Sequence, residues 1–309
     1  MVNPDVVRGC FATAVVAAML AAWQVVGQDL LLFPEVGALA IGLLVMDKSV
    51  WRVSKLACLC VMTMAAAIGI GVSRCVGFVG FGVPVIAAFL LSGLMLRLTR
   101  IQMPPALAAA VMPALFGIVA WEYVGVVATL VSLVIMVQWV MELTGVRRYR
   151  MPVVKYSPAE PFSYCALGIM SLSIAPLCVT AWLTGWKYLV APPLLVTLAE
   201  FSQGESGFRR RPWQVLFMLL FGASAGAAAL IFSRSLGFDV AVAGVCAFVL
   251  MLCLYNIFRK SFAPSATLAL LALLVGDADV WTYPAQVVLG GAYAILVSSL
   301  PCIILKCNK

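Results

Sequence analysis

Long apolar runs, each ended by a short break rich in basic residues, glycine or proline, recur from one end of this chain to the other. They fall at about 10–26, 33–46, 56–72, 76–96, 104–118, 121–143, 162–184, 189–200, 213–232, 236–258, 264–276 and 282–305. Half of them exceed the roughly 18 residues at which an apolar stretch is read as a helix through a bilayer. The expected fold is therefore an all-α polytopic membrane protein of about twelve segments. Composition agrees: 64% of the residues are hydrophobic and 10% charged, against roughly 45–50% and 25% in globular proteins. Too little polar surface is left to face water. Soluble enzymes, disordered tails and disulfide-built secreted scaffolds are excluded.

The net charge of +8 is distributed by side. If every segment crosses and the N-terminus is cytoplasmic, seventeen of the 20 basic residues fall in inner loops and only Arg74, Lys187 and Arg234 in outer ones. The inner set runs from Arg8, Lys48, Arg52 and Lys55 through Arg97, Arg100, Arg147, Arg148, Arg150 and Lys155. It continues with Arg209, Arg210, Arg211, Arg259, Lys260, Lys306 and Lys309. This is the positive-inside pattern, and it places both termini on the cytoplasmic side of the cell (inner or plasma) membrane. The basic charge reads as a topology device that also attracts anionic lipid; no nucleic-acid partner is expected. Arg8 followed by Cys10 to Trp23 has the make-up of a signal peptide. The duplication described next sets it opposite an internal segment, so it is read as the first helix.

The chain matches itself at an offset of 160 residues. Val72-Ser73-Arg74-Cys75-Val76-Gly77-Phe78 falls on Phe232-Ser233-Arg234-Ser235-Leu236-Gly237-Phe238, and Pro104, Ala106 and Ala109 fall on Pro264, Ala266 and Ala269. Between 73 and 113 there are eleven identities in 41 ungapped positions. Nearer the start, an offset of 159 pairs Trp23 with Trp182 and Pro34 with Pro193. The organisation expected is a first membrane repeat at 1–145, a cytoplasmic linker at 146–161 and a second membrane repeat at 162–309. Six segments per repeat is an even number, so the repeats run parallel, related by an axis along the membrane normal as in some transporters.

The second and fifth segment of each repeat are short. Fourteen or fifteen residues cover roughly 21–23 Å of a hydrocarbon core about 30 Å thick. They begin at proline: Pro34, Pro104-Pro105, Pro192-Pro193 and Pro264. Two readings stand. They are plain helix starts, where proline loses nothing because its N–H would be unpaired anyway. Or they are short helices whose free N–H groups and positive dipole ends point into a cavity and favour an anion. The runs Ala65-Ala66-Ala67-Ile68-Gly69-Ile70-Gly71 and Gly222 to Gly226 read as tight helix–helix packing surfaces.

Leu94-Met95-Leu96-Arg97-Leu98-Thr99-Arg100-Ile101-Gln102-Met103-Pro104-Pro105-Ala106 resembles the signature of the HPP family of integral membrane proteins. In that family a Leu-Met-x-x-Thr-Arg-Thr helix end runs into His-Pro-Pro-Ala-Gly-Ala. Phe33-Pro34-Glu35-Val36-Gly37-Ala38 is similar to the family's upstream Gly-Ala segment, and Arg211-Pro212-Trp213-Gln214-Val215 to its Gln-Pro-x-Asn-Val loop. The resemblance covers roughly 30–145 and again 188–305, which implies a tandem double-HPP chain. It also implies transport, since members are regarded as transporters and plant members are associated with nitrite movement into chloroplasts. The family's histidine is replaced by Met103 here and by Ala263 in the second copy, and the second proline by Ser265. A stretch from Gly42 to Arg52 resembles the loop between helices two and three of the major facilitator class, a rival within transport.

With no histidine in the chain, Ser-His and Cys-His nucleophile pairs and imidazole metal ligands are impossible. The ten cysteines are scattered, and Cys58 and Cys60 have no matching second pair, so they read as small buried hydrophobes. No enzyme activity, metal or cofactor is expected. The segment centres carry no Asp, Glu, Lys or Arg, which fits a facilitator better than a carboxylate-based exchanger. The candidate pathway residues are Glu35, one residue into the second segment; Arg74 and Arg234, a paired entrance or interface anchors; Asn256; and Pro104, Pro105, Pro264, Ser265 and Thr267. The function expected is a transporter or channel-like facilitator for a small solute, an anion such as nitrite. The alternative is a non-transporting membrane subunit or assembly partner. The lipid bilayer, a small anion and a possible second copy of the chain are the partners.

Overall fold

The structure, a computed structural model, describes residues 4–27, 31–46, 51, 53–147, 162–202 and 208–299. The expected linker from residue 148 on lies outside the described residues, as do residues 300–309 and the basic side chains of Lys48, Arg52, Arg148, Arg150, Lys155, Lys306 and Lys309. Among the described residues there are twelve α-helices and no strand. The first six are α1 (Pro4–Val26), α2 (Glu35–Ala40), α3 (Lys55–Val76), α4 (Gly82–Thr99), α5 (Pro105–Phe116) and α6 (Glu122–Leu143). The second six are α7 (Tyr164–Thr184), α8 (Pro192–Ser202), α9 (Pro212–Leu236), α10 (Val240–Phe258), α11 (Ala263–Leu271) and α12 (Tyr283–Ser298).

Seven of these, α1, α3, α4, α6, α7, α9 and α10, are long and apolar enough to cross a membrane. Only 28–50% of each long apolar window is buried inside the protein. The outward remainder is itself apolar: Phe78, Leu98, Leu143, Leu172, Trp213 and Ile257 are all exposed. A surface of that kind is stable against lipid and not against water. The chain is a helical membrane protein.

The short helices are the inside. All six residues of α2, all nine of α11 and every residue of α5 from Pro105 to Leu115 are buried. Two are lengthened by irregular turns, α2 by a π turn at Ile41–Val45 and α11 by a 3-10 turn at Ala272–Leu274. The twelve residues of α5 amount to about 18 Å, well under the thickness of the hydrocarbon core. Broken backbone of this sort survives in a bilayer only where protein encloses it, and the long helices supply the enclosure.

Corresponding helices have corresponding neighbours. Helix α3 packs on α4, α5 and α6, and α9 packs on α10, α11 and α12. Glycine makes the closest of these approaches possible: Gly69 lies against the backbone of Ala110, Gly222 against Ser265 and Gly226 against Ala269, each without room for a Cβ. Between the halves, α5 meets α8 and α2 meets α11.

The first helix of each half lies on the opposite half, α1 on α10 and α7 on α4. Gln24 at the end of α1 donates to the Asp239 carboxylate at the start of α10, 2.5 Å away. Arg97 at the end of α4 donates to the Phe162 carbonyl and lies over the Tyr164 ring at 3.9 Å.

Helix ends follow local chemistry. The side chains of Ser54, Ser163 and Asp239 accept from first-turn amides of α3, α7 and α10, the usual N-cap arrangement. Helices α4 and α10 both stop at an arginine in the left-handed region, Arg100 at φ 56° and Arg259 at φ 50°. In each case the next amide reaches back five residues, Ile101 to Leu96 and Lys260 to Tyr255. The reversal turns the chain inward, toward α5 after α4 and toward α11 after α10.

Candidate functional site

The opening turns of α2, α5, α8 and α11 meet around one small closed cavity. Its walls are Glu35 and Ala38 from α2, Pro105 and Ala108 from α5, Pro193 and Val196 from α8, and Ala263, Pro264 and Thr267 from α11. Each helix contributes a pair three residues apart, the spacing that puts two side chains on one helical face. The space, about 10 Å³, holds a single water at most.

Glu35 is 1% exposed, and neither of its carboxylate oxygens meets a donor from another residue. Thr267, also 1% exposed, has an unpartnered hydroxyl in the same cavity. These two are the polar side chains among the cavity walls; proline, alanine and valine make up the rest.

The amides expected to be free at these helix starts are spoken for. Ala106 and Leu107 donate to Met103 and Pro104, Leu194 to Ala191, Ser265 to Phe262, and Val36 and Gly37 to Phe33 and Pro34. Prolines at 105, 193 and 264 have no amide to offer. The helix dipoles still direct their positive ends at the cavity, while hydrogen bonding within it is left to side chains and to the Glu35 amide, which bonds its own carboxylate.

Two tyrosines pin the short helices from outside the cavity. Tyr123 of α6 donates to the Ala109 carbonyl at 3.1 Å, and Tyr283 of α12 donates to the Leu268 carbonyl at 2.8 Å. Both are fully buried, and each ring meets an aromatic edge-on, Tyr123 with Phe33 and Tyr283 with Tyr188. The first bond has a local cause. Pro113 lies inside α5, so Ala109 loses the amide four residues on that would bond its carbonyl, and the Tyr123 hydroxyl takes that place.

Of the pathway residues expected from sequence, the structure brings Glu35, Pro105, Pro264 and Thr267 together. Pro104 is the buried N-cap of α5, one residue outside the cavity. Ser265 is buried but faces away, sharing hydrogen bonds with the Phe262 carbonyl and the Tyr255 hydroxyl. Asn256 is exposed in the last turn of α10. Arg74 and Arg234 stand apart from the cavity on exposed helix ends. Arg74 donates to the Val119 carbonyl at 2.7 Å and stacks on Trp121; Arg234 donates to Val275 and pairs with Asp277. Each thus holds the chain just past the far end of a short helix, α5 or α11, which is an anchoring geometry.

Pro193, Val196, Ala38 and Ala108 were not singled out from sequence as site residues. The signal for the first was present in the Pro192-Pro193 start; small residues in an alanine-rich chain carry no such signal. Among the described residues no group of three or more His, Cys, Asp or Glu side chains is placed to hold a metal ion. Comparison with known proteins returned no matching family model, no matching curated protein and no matching solved structure. Fold and site together define a class: an all-helical membrane protein whose short interior helices begin at a common closed centre.

Proposed function

We propose that the chain is a membrane transporter or channel-like facilitator for a small solute, with a small anion such as nitrite as the favoured class. One observation carries this reading: four short, buried helices open onto a single cavity that holds a buried carboxyl group and a free hydroxyl. Helices that begin at depth and aim their ends at one point are how many transporters build a solute site, and positive helix ends favour negative charge. The closed centre is one state of a pathway that opens to either side.

The wider reading goes with it. Twelve segments form two parallel repeats in the cell membrane with both termini cytoplasmic, and the chain is a tandem relative of the HPP family. The paired features at matching positions support the repeat: Arg74 with Arg234, Arg100 with Arg259, and Tyr123 with Tyr283 make like contacts in the two halves.

A second reading has its own observation. A groove of about 630 Å³ runs between α3 and α6, lined by Leu59, Cys60, Thr63, Met64, Ala128, Thr129 and Ser132. It has room for a helix of another chain, which favours an assembly partner or a homo-oligomer. Flux into proteoliposomes, measured for nitrite, nitrate, formate and a neutral solute, separates the two. Movement of at least one of them supports transport. Intact, folded protein that moves none of them overturns it in favour of the partner reading.

A further inference from the structure

We infer that Glu35 is a proton-carrying site at the centre of the protein, and that a small anion passes this point only together with a proton on that carboxyl group. The anion half rests on the transport reading above; the proton half stands on the cavity alone.

The argument begins with what surrounds the group. Glu35 is 1% exposed, with both oxygens lacking a donor from any other residue. Proline side chains at 105, 193 and 264 form the wall, and nearby first-turn amides are closed onto local carbonyls. An ionised carboxylate held this way has only the Glu35 backbone amide as a donor, and a buried charge so poorly compensated costs several kcal/mol. The protonated acid suits the same space. It offers one donor and retains acceptor capacity, the Thr267 hydroxyl can serve as either, and one water fits between them.

Among the described residues no cation in the neighbourhood offsets the charge. Helix α5 and the described part of α11 carry no titratable side chain. Helix α1 carries Asp5, Arg8 and Cys10 in its first two turns, and α8 carries Glu200 near its far end. Helix α6 has Glu122 and Tyr123 at its start and Glu142 at its end. Of these, Tyr123 faces Glu35 closely enough for the two to interact, and its hydroxyl is already committed to Ala109.

Coupling follows from exclusion. An anion drawn to the positive ends of α5, α8 and α11 would meet Glu35 in a cavity of single-water size. Two negative charges at that range in a low-dielectric interior repel strongly. The anion and the ionised carboxylate are therefore mutually exclusive occupants, and the anion shares the centre only with the protonated acid. Glu35 takes a proton from the side on which the anion enters and gives it up on the side where the anion leaves. One anion and one proton cross together, with no net charge moved.

The test uses the full-length protein in liposomes, with nitrate as the probe and empty vesicles to subtract leak. A vesicle interior one pH unit more alkaline than the bath should accumulate nitrate about tenfold, since one coupled proton contributes that ratio per unit. Glu35→Gln keeps the shape and removes the proton site; it should equilibrate nitrate to a ratio near one. Accumulation by Glu35→Gln equal to that of the wild type overturns the inference and leaves the transport reading standing. Infrared spectra of the same samples provide a readout independent of flux. A protonated-carboxyl band should be present at neutral pH, vanish in Glu35→Gln and shift in Thr267→Val. If the wild type moves no solute, the transport reading and the anion half fall together. The band component that Glu35→Gln removes then decides the proton half: its presence upholds it and its absence refutes it.

Discussion

A methyl group at position 226 should loosen the centre of this protein from 226 outward, through α11. A Cβ added to Gly226 would collide with the carbonyl of Ala269 and lie 2.6 Å from the Ala272 Cβ. Carbon atoms rest at about 3.5–4.0 Å, so α11 must retreat from α9 by about 1 Å. It cannot do so alone, because the other side of α11 meets α2 and carries Pro264 and Thr267 into the cavity. Forced overpacking of this kind costs about 1–3 kcal/mol. Alanine also gains helix propensity over glycine, about 1 kcal/mol, which would obscure the effect in a single variant. Gly125 of α6 provides the control, since nothing lies within 4 Å of its added Cβ. The propensity gain is common to both sites and cancels between them. Gly226→Ala should therefore unfold below Gly125→Ala by about 2–10 °C in detergent, followed by tryptophan fluorescence. Ala272→Gly removes one of the two obstructions and should recover part of the loss. Equal unfolding temperatures for the two alanine variants would refute the idea that α11 is held at contact distance.

Three further outcomes follow from particular bonds. Tyr123→Phe leaves the Ala109 carbonyl without a partner, since Pro113 cannot supply one, and should cost about 1–3 kcal/mol. Tyr283→Phe should cost less, because the Leu268 carbonyl also accepts from the Ala272 amide; chemical denaturation of both variants checks the order. Arg100→Gly and Arg259→Gly should each raise stability by about 1 kcal/mol, relieving a side chain held in the left-handed region. A fall in unfolding temperature would show instead that the arginine side chains make contacts worth more than the strain. The Gln24 amide holds the Asp239 carboxyl below the usual carboxylate range, against an opposing effect of desolvation and with help from the backbone amides of Ala241 and Val242. Its folded value lies below its unfolded one, so its contribution is complete above the unfolded value and is lost as pH falls through the folded value. The unfolding temperature of the wild type should decline between about pH 5 and pH 2 more steeply than that of Asp239→Asn.

Much of this site could be read in advance, for reasons tied to covalent chemistry. Proline at the head of a run too short to span marks a helix that starts somewhere unusual, and the runs at 34, 104, 192 and 264 all open onto the centre. Glu35 was legible as a helix-start residue, and its burial was not. Counting apolar residues treats the first of them as the membrane surface. Here the chain is already buried before the helix begins, with Leu32 at 1% and Phe33 at 0% exposure. Hydropathy has no way to tell a helix that begins at the surface from one that begins inside. Asn256 shows the converse, a polar residue within an apolar run that lies on the outside of the last turn. The tyrosine bonds to Ala109 and Leu268 were hidden for another reason. They depend on which carbonyl a neighbouring helix leaves unpaired, and that is a property of the packed pair.

The exchange of α1 and α7 between the halves has a consequence for how this molecule can be divided. Each half carries one long helix that rests on the other, so neither 4–147 nor 162–299 encloses its own interior. Separated, each would lay bare a strip of α4 or α10 matched to a helix it does not own. The two halves are therefore a mutual clasp, indivisible between α6 and α7.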